Sequence, residues 1–242
     1  MKLLVSVVDV GEARAAAAAG ADIVDVKNPA EGSLGAPSPA VIAGVRAALP
    51  AELPVSAAIG DMPNLPGTAA LAALGAARSG ATFVKVGLWG VSTEADAVDL
   101  LRAVRDGVAS VPGAVVVAAA YADARRVAQA PLAPELLPRV ARAAGVGTCL
   151  LDTAVKDGRG LLEWLSPDAL ASLVADAHAA GLQMALAGAL RAEDLPVVRA
   201  TGADIVGVRS AACGDSRRSG SLESARVRAL RAACSTPARS SP

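Results

Sequence analysis

The sequence is poor in histidine, aromatic residues and cysteine, and each shortage narrows the functions available to it. A single histidine, His178, among 242 residues excludes catalytic triads and metal sites that depend on histidine. Aromatic residues make up 2% of the chain and hydrophobic residues 53%, so alanine, valine and leucine must fill the core. The three cysteines are neither paired nor spaced as metal ligands, which indicates a reducing compartment and a cytoplasmic protein.

The chain also lacks an excess of charge and a long apolar run. Its 23 basic residues balance 23 acidic ones, so the composition predicts no nucleic-acid surface. No uncharged stretch reaches the roughly 20 apolar residues that a membrane span requires. The N-terminal apolar run, residues 3–8, is too short for a signal peptide, and Asp9 follows at once. We therefore expect neither nucleic acid nor membrane as a partner, while a homo-oligomer stays possible.

Lysine is scarce among the charged residues. It occurs only at positions 2, 27, 85 and 156, so arginine supplies 23 − 4 = 19 of the basic residues. A biased base composition of the gene explains such scarcity but not the positions. A lysine amine can lose its proton and attack a carbonyl group, whereas a guanidinium with a pKa above about 12 cannot. The few lysines are therefore candidates for catalysis.

Eight short apolar segments alternate with alanine-rich segments long enough for helices. The apolar segments span residues 3–8, 23–27, 55–59, 83–86, 115–119, 148–152, 183–187 and 205–209. Such alternation implies right-handed crossovers and a parallel sheet, and eight units predict a single-domain (β/α)8 TIM barrel. A doubly wound open sheet is the alternative, but no Gly-x-Gly-x-x-Gly turn follows the first strand. We expect the barrel to span residues 1–234 and the tail, 235–242, to be disordered.

The second apolar segment has an unusual polar end. Strand side chains alternate between faces, so Asp25 and Lys27 are expected on the same face as Ile23, with Val24 and Val26 opposite. The eight residues 20–27 recur at 202–209 with six identities. This repeat indicates that the two segments share a local structure and differ in the polar residues that they carry.

Charged residues lie at the ends of three even-numbered strands and, for Lys85, near the end of strand four. These residues are Lys27, Lys85, Asp152 and Arg209, with Asp25 below Lys27 and Lys156 on the loop after strand six. Active sites of barrels lie at the C-terminal ends of the strands, and alternate strands share a layer, so these groups are predicted to meet in one mouth. Structural ion pairs are the alternative. Asp61, Tyr121 and Asp123 end strands three and five and are expected nearby.

The predicted cluster suits Schiff-base chemistry on a phosphorylated substrate. Neighbouring cations and burial lower the pKa of a lysine, which makes it a nucleophile near neutral pH. Asp25 is expected to orient Lys27, to accept a proton, or only to neutralise a buried charge. In barrels of this kind, the loops that follow strands seven and eight commonly bind phosphate. There we predict substrate contacts from Gly188, Ala189, Gly207, Arg209 and Ser210.

Several motifs resemble the (5-formylfuran-3-yl)methyl phosphate synthase family of methanofuran biosynthesis, also called 4-HFC-P synthases. They are DVKNPAEGSLGA at 25–36, KVGL at 85–88, YAD at 121–123, DTAVKDG at 152–158 and DIVGVR at 204–209. The resemblance covers about residues 1–234. In two loops the chain departs from the family pattern, with alanine for serine within 186–190 and Ser210 for glycine.

The resemblance implies a TIM-barrel carbon–oxygen lyase that needs no metal or organic cofactor. Such an enzyme condenses two glyceraldehyde 3-phosphate molecules into a furan phosphate and releases phosphate and water. By resemblance, Lys27 forms the Schiff base, Lys85 accepts a proton, and Asp25, Asp152 and Lys156 support them. A class I aldolase or isomerase acting on a small sugar phosphate, and a barrel that only binds a phosphorylated metabolite, are the alternatives.

Overall fold

The structure, a computed structural model, describes residues 1–217 and 219–235. Over these residues it is a closed barrel of eight parallel strands, and β1 pairs with β8 to complete the ring. The strands are β1 (Lys2–Val7), β2 (Ile23–Val26), β3 (Val55–Pro63), β4 (Phe83–Gly90), β5 (Val115–Tyr121), β6 (Thr148–Asp152), β7 (Gln183–Leu186) and β8 (Ile205–Val208). The predicted (β/α)8 TIM barrel is confirmed.

A helix follows each strand and packs on the outside of the barrel. The helices are α1 (Val10–Ala18), α2 (Pro39–Ala48), α3 (Pro66–Arg78), α4 (Glu94–Val108), α5 (Leu137–Ala144), α6 (Pro167–Ala179), α7 (Leu195–Ala200) and α8 (Ser224–Ser235). The tail for which we predict disorder lies, from residue 236 onward, outside the described residues.

Side-chain caps fix the starts of several helices. Asp9 accepts a hydrogen bond from the N–H of Glu12 at 2.8 Å, at the start of α1. Thr93 and Ser166 accept equivalent bonds at the starts of α4 and α6. Each bond satisfies an amide that has no partner inside its helix, which stabilises the helix by about 1 kcal/mol. The caps thus set where each loop at the mouth gives way to a helix.

Side-chain alternation along β2 is as the sequence predicts. Val24 and Val26 belong to the apolar layer between barrel and helices. Ile23 belongs to the smaller cluster that fills the barrel interior, and Asp25 and Lys27 line the cavity above it. A mostly apolar floor therefore lies beneath the charged groups.

Strands β3 and β4 extend four residues beyond the ends predicted for them, 59 and 86. They stay paired as far as Pro63 and Gly90, with register shifts between Ala58 and Pro63. Lys85 is therefore the third residue of β4 and does not lie near its end. The extension could not be anticipated because residues 60–63 and 87–90 contain glycine and proline, which normally end strands.

The repeat of residues 20–27 at 202–209 has a structural basis. Asp22 accepts a hydrogen bond from the N–H of Leu3, at the start of β1, at 2.8 Å. Asp204 accepts the equivalent bond from the N–H of Met184, at the start of β7, at 2.7 Å. Each aspartate thus accepts a hydrogen bond from the backbone of the preceding strand, at the N-terminal ends of the strands. The positions at which the two copies differ lie at the opposite end, at the mouth.

Candidate active site

The C-terminal ends of the strands surround a cavity of about 330 Å³. This volume is in the range of cavities that bind small molecules. All ten residues predicted to form the site line it: Asp25, Lys27, Lys85, Asp152, Lys156, Gly188, Ala189, Gly207, Arg209 and Ser210. The structure thus brings together the residues that the sequence singled out, and their contacts distinguish between them.

Asp25 pairs with Lys85 and not with its neighbour in sequence, Lys27. The Nζ atom of Lys85 lies 2.6 Å from Oδ1 of Asp25, and both side chains are almost completely buried. The two groups form an ion pair whose geometry does not meet the angles of a hydrogen bond. Oδ1 accordingly accepts no hydrogen bond from any described residue. Oδ2 accepts a hydrogen bond from the hydroxyl of Ser6, on β1, at 2.8 Å. Ser6 thereby fixes the orientation of the carboxylate toward Lys85.

Lys27 is buried in the same cavity but forms no ion pair with a described carboxylate. Among the described residues, no carboxylate oxygen lies within ion-pair distance of its Nζ atom. Burial lowers the pKa of Lys27 from 10.5 to about 8, nearby Asp152 opposes the shift, and Lys85 and Lys156 add to it. Desolvation is thus the main cause and the cation cluster a secondary one. A fraction of Lys27 is therefore neutral and nucleophilic near neutral pH.

Asp152 stays ionised beside Lys27. Burial raises its pKa, but Lys156, Lys27 and the N–H of Thr153 lower it more, so the net shift is downward. The ammonium of Lys156 lies 2.8 Å from Oδ1, and the N–H of Thr153 donates to the same oxygen at 2.7 Å. Lys156 keeps about a fifth of its side chain exposed at the rim. Asp152 and Lys156 thus form a second charged pair, closer to solvent than the pair of Lys85 and Asp25.

Asp123 and Asp61 position the loops around this charged centre. Asp123 accepts hydrogen bonds from the N–H groups of Ala154 and Val155, at 2.6 and 2.9 Å, which holds the loop that carries Lys156. Asp61 accepts the hydroxyl of Tyr121 and the N–H of Ser33. Asp61, Tyr121 and Asp123, which we expected near the mouth, therefore do not line the cavity. The two aspartates instead hold the loops around it.

The loop that follows β7 lies close against the loop that follows β6. Gly188 has a φ of +112°, and a Cβ atom there would lie 2.9 Å from Cγ2 of Thr153. Ala189 has a φ of +47°, which is uncommon outside glycine. The carbonyl of Gly188 accepts the N–H of Leu161 at 2.8 Å. Only glycine fits at position 188, and the strained backbone brings the loop to the cavity wall.

Arg209 is held by a residue that the sequence analysis did not select. Its terminal nitrogens contact the carboxylate of Glu12, on α1, at 2.5 and 3.1 Å. They also donate to the carbonyls of Ser6 and Gly220, at 3.1 and 2.8 Å. In the sequence, Glu12 reads as an ordinary acidic residue of a first helical turn. Only the closure of β8 onto β1 places it beside Arg209.

Neither the histidine nor any of the three cysteines lines the cavity. His178 contacts Asp204 at the N-terminal ends of the strands, at 2.9 Å. The three cysteines are buried and unpaired, and burial raises the pKa of Cys149 to about 12. Over residues 1–217 and 219–235, no group of His, Cys, Asp and Glu is arranged to hold a metal ion, and no helix is long and apolar enough to cross a membrane.

The lowered pKa of Lys27 predicts a stability effect. Below pH 8 the side chain is charged in both folded and unfolded chains, and a pKa lowered from 10.5 to about 8 means that the buried charge destabilises the fold by about 3 kcal/mol. Lys27→Met is therefore expected to raise the unfolding free energy at pH 7 by up to about 3 kcal/mol. From pH 8 to 10.5 only the unfolded chain keeps the proton, so the wild type gains stability and the difference shrinks.

Urea unfolding at pH 7 and pH 10 measures this effect. Lys2→Met, at an exposed position on β1, is the matched control and should leave the stability unchanged at both values. A Lys27→Met protein with a constant stability difference from the wild type across this pH range would contradict the assignment.

Comparisons with known proteins show which family the chain resembles. A family model described as 4-HFC-P synthase matches residues 3–231. A (5-formylfuran-3-yl)methyl phosphate synthase of Methanocaldococcus jannaschii is 48% identical, over 97% of this chain and 100% of that protein. A putative (5-formylfuran-3-yl)methyl phosphate synthase of Streptomyces griseus subsp. griseus is 50% identical, over 96% of this chain and 94% of its own length.

Similar solved structures include a 3-hexulose-6-phosphate synthase, with a TM-score of 0.62, 21% identity and coverage of 96% of this chain and 99% of the other. Phosphoribosyl anthranilate isomerase from Thermus thermophilus has a TM-score of 0.65, 18% identity and coverage of 96% and 98%. At these identities the likeness concerns the barrel fold alone. The family match and the curated relatives, by contrast, span nearly the whole chain, and we conclude that the chain belongs to the 4-HFC-P synthase family.

Proposed function

We propose that the protein is a Schiff-base lyase that condenses two glyceraldehyde 3-phosphate molecules to (5-formylfuran-3-yl)methyl phosphate, with loss of phosphate and water, in methanofuran-type cofactor biosynthesis. The observation that carries this proposal is Lys27, a buried lysine with a pKa of about 8 and no carboxylate within ion-pair distance among the described residues. The relatives' names support the product, and the chemistry of the cavity supports the mechanism.

Lys27 is the proposed nucleophile. Its neutral amine attacks the aldehyde carbon, and the resulting carbinolamine loses its hydroxyl as water to give an iminium ion. The positive nitrogen makes the adjacent C–H acidic, so loss of that proton gives an enamine. The enamine carbon then attacks the carbonyl of the second triose phosphate. Later loss of water and phosphate makes the furan ring aromatic, and hydrolysis of the iminium breaks its bond to Lys27, which releases the product and restores the free amine.

Lys85, Asp25 and Ser6 are proposed to move the proton from the substrate carbon. To accept it, Lys85 must be neutral, and Asp25, at 2.6 Å, can receive the proton that Lys85 gives up. The hydrogen bond from Ser6 holds the second oxygen of Asp25, so the carboxylate keeps its position while its charge changes. This arrangement gives Asp25 a role in proton transfer through Lys85 and not through Lys27.

Asp152 and Lys156 are proposed to assist the loss of water. The Lys156 ammonium lies closer to the rim than Lys85 and can donate a proton to a departing hydroxyl. Asp152 stabilises the positive charge that develops on Lys27, since its own pKa is lowered and it stays ionised. Backbone groups of Gly188, Ala189 and Gly207 and the hydroxyl of Ser210, on the loops after β7 and β8, are proposed to contact substrate phosphate.

Product analysis tests the function. Incubation with glyceraldehyde 3-phosphate should give a furan aldehyde, seen by its ultraviolet absorbance and mass, and one equivalent of inorganic phosphate per furan. A class I aldolase would give a sugar phosphate without phosphate release, and an isomerase would give a triose phosphate. Ligand binding without any product would indicate a barrel that only binds its metabolite.

The pH dependence of Schiff-base formation follows from Lys27. The neutral fraction of an amine rises with pH, with a midpoint at its pKa, here about 8. The initial rate of borohydride labelling by glyceraldehyde 3-phosphate is therefore expected to rise from pH 6 and to reach half its maximum near pH 8. Mass spectrometry of the labelled peptide measures it. A midpoint near 10.5, as for an exposed lysine, would contradict the lowered pKa.

The proposed location of the enzyme is the cytoplasm. The three cysteines are free and buried, as suits a protein that folds under reducing conditions. Its triose phosphate substrate is an intracellular metabolite, so the location agrees with the proposed reaction.

A further inference from the structure

The connection between β8 and α8 folds back on itself above the cavity. The N–H of Gly214 donates to the carbonyl of Ser221, and the N–H of Glu223 donates to that of Ala212, at 3.1 and 2.9 Å. These bonds pair the two arms of the connection, so its tip projects away from the base. Ser216, Arg217 and Ser219 at the tip line the same cavity as Lys27.

The base of this connection is anchored by Glu12 and Arg209. Glu12 receives the Arg209 guanidinium and also the N–H of Leu222, at 3.2 Å, and the N–H of Val8, at 3.0 Å. Arg209 in turn donates to the carbonyl of Gly220. One nearly buried ion pair therefore ties the second arm of the connection to the ends of β1 and β8.

The two arginines of the connection differ in what they contact. Both terminal nitrogens of Arg209 are already bonded to acceptors of the protein. At Arg217 the backbone is fixed, since its N–H donates to Asp215 at 2.9 Å and its carbonyl accepts the N–H of Gly220 at 3.0 Å. Arg217 lines the cavity, and its guanidinium has no hydrogen bond or ion pair with any described residue. Arg217 is thus held by its main chain while its charge is left for a ligand.

We propose that Arg217 is the arginine that binds the phosphate group of the substrate, and that Glu12 with Arg209 is the anchor that positions the loop carrying it. This inference rests on the proposed function only in that the substrate is a phosphate monoester. A guanidinium matches a phosphate with two parallel hydrogen bonds, and Arg217 lies on an exposed tip that lines the cavity. Arg209 becomes a positioning residue in place of a phosphate ligand.

Binding of a phosphate monoester that cannot react tests the role of Arg217. Glycerol 3-phosphate has the phosphate but no carbonyl group, and calorimetry gives its affinity without turnover. Arg217→Ala is expected to weaken its binding by about 10- to 100-fold, and Arg217→Lys by less. Borohydride labelling of Lys27 by unphosphorylated glyceraldehyde should stay unchanged. The matched control is Arg228→Ala, an exposed arginine on α8 that does not line the cavity, which should bind as the wild type does.

A double-mutant cycle tests the anchor. Glu12→Gln is expected to weaken glycerol 3-phosphate binding in the wild type, but to have no further effect in the Arg217→Ala background, because both changes remove the same contact. A purely structural role would give effects that add. If Glu12→Gln does not fold, the pair Glu12→Gln with Arg209→Gln removes both buried charges and serves in the same cycle.

The outcomes separate this inference from the proposed function. Furan formation with full glycerol 3-phosphate affinity in Arg217→Ala would overturn the role of Arg217 alone. Loss of phosphate binding in Arg217→Ala without any furan from the wild type would overturn the proposed reaction alone. Additive effects of the two changes would overturn the anchoring role of Glu12.

Discussion

Lys27→Arg is expected to abolish furan formation and borohydride labelling together. Arginine keeps the positive charge beside Asp152 and much of the volume, but a guanidinium does not form an imine with an aldehyde. Without the covalent intermediate, the adjacent C–H loses its acidity and no enamine forms. The rate of furan formation should fall on the order of 10³-fold or more.

Lys2→Arg is the matched control for this substitution. It makes the same chemical change on β1 at an exposed position that does not line the cavity, and should leave turnover and labelling as in the wild type. Circular dichroism and the binding of glycerol 3-phosphate show whether Lys27→Arg is folded and still takes up a phosphate ester. Full turnover by folded Lys27→Arg would rule out the Schiff-base mechanism.

The residues that line the site could be predicted from the sequence because the barrel fold fixes where the end of each strand lies and which face each strand residue occupies. Eight alternating segments allow few arrangements, and alternation along a strand assigns each residue to a face. The rarity of lysine then made Lys27, Lys85 and Lys156 stand out against a background of arginine. All three line the cavity.

The pairing within the site could not be predicted from the sequence. Proximity along the chain suggested Asp25 as the partner of Lys27, yet Asp25 pairs with Lys85 from β4. Which carboxylate meets which lysine depends on the stagger of neighbouring strands and on the length of β4, neither of which an apolar pattern specifies. Ser6 and Glu12 were missed for the same reason, since each acts on a residue that is distant in sequence.

Asp25→Asn is expected to have the second large effect, on stability as well as on turnover. It removes the counter-charge of Lys85 in a nearly solvent-free site, and breaking a buried ion pair on one side costs about 3–5 kcal/mol. Lys85→Met leaves Asp25 unpaired and should destabilise the protein by a similar amount. The double variant leaves no unpaired charge, so its unfolding free energy should recover most of the loss.

Urea unfolding of the four proteins measures this cycle. Asp99→Asn, which removes a carboxylate that is mostly exposed and 4.0 Å from Arg102, is the control and should change the unfolding free energy by less than about 1 kcal/mol. A double variant as unstable as the sum of its singles would show that the two charges do not stabilise one another.

Catalysis should respond differently from stability. Burial is the main cause of the lowered pKa of Lys27 and Lys85 only a secondary one, so Lys85→Met and the double variant should still be labelled at Lys27 by borohydride, though more slowly at neutral pH. Neither has a base at this position to take the proton from the substrate carbon, so both should accumulate the Schiff base and form little furan. Stability recovered in the double variant without recovered turnover would separate the two roles of the pair. Furan formation by Lys85→Met at the rate of the wild type would instead assign proton transfer to another group, with Lys156 and Asp152 the next to replace.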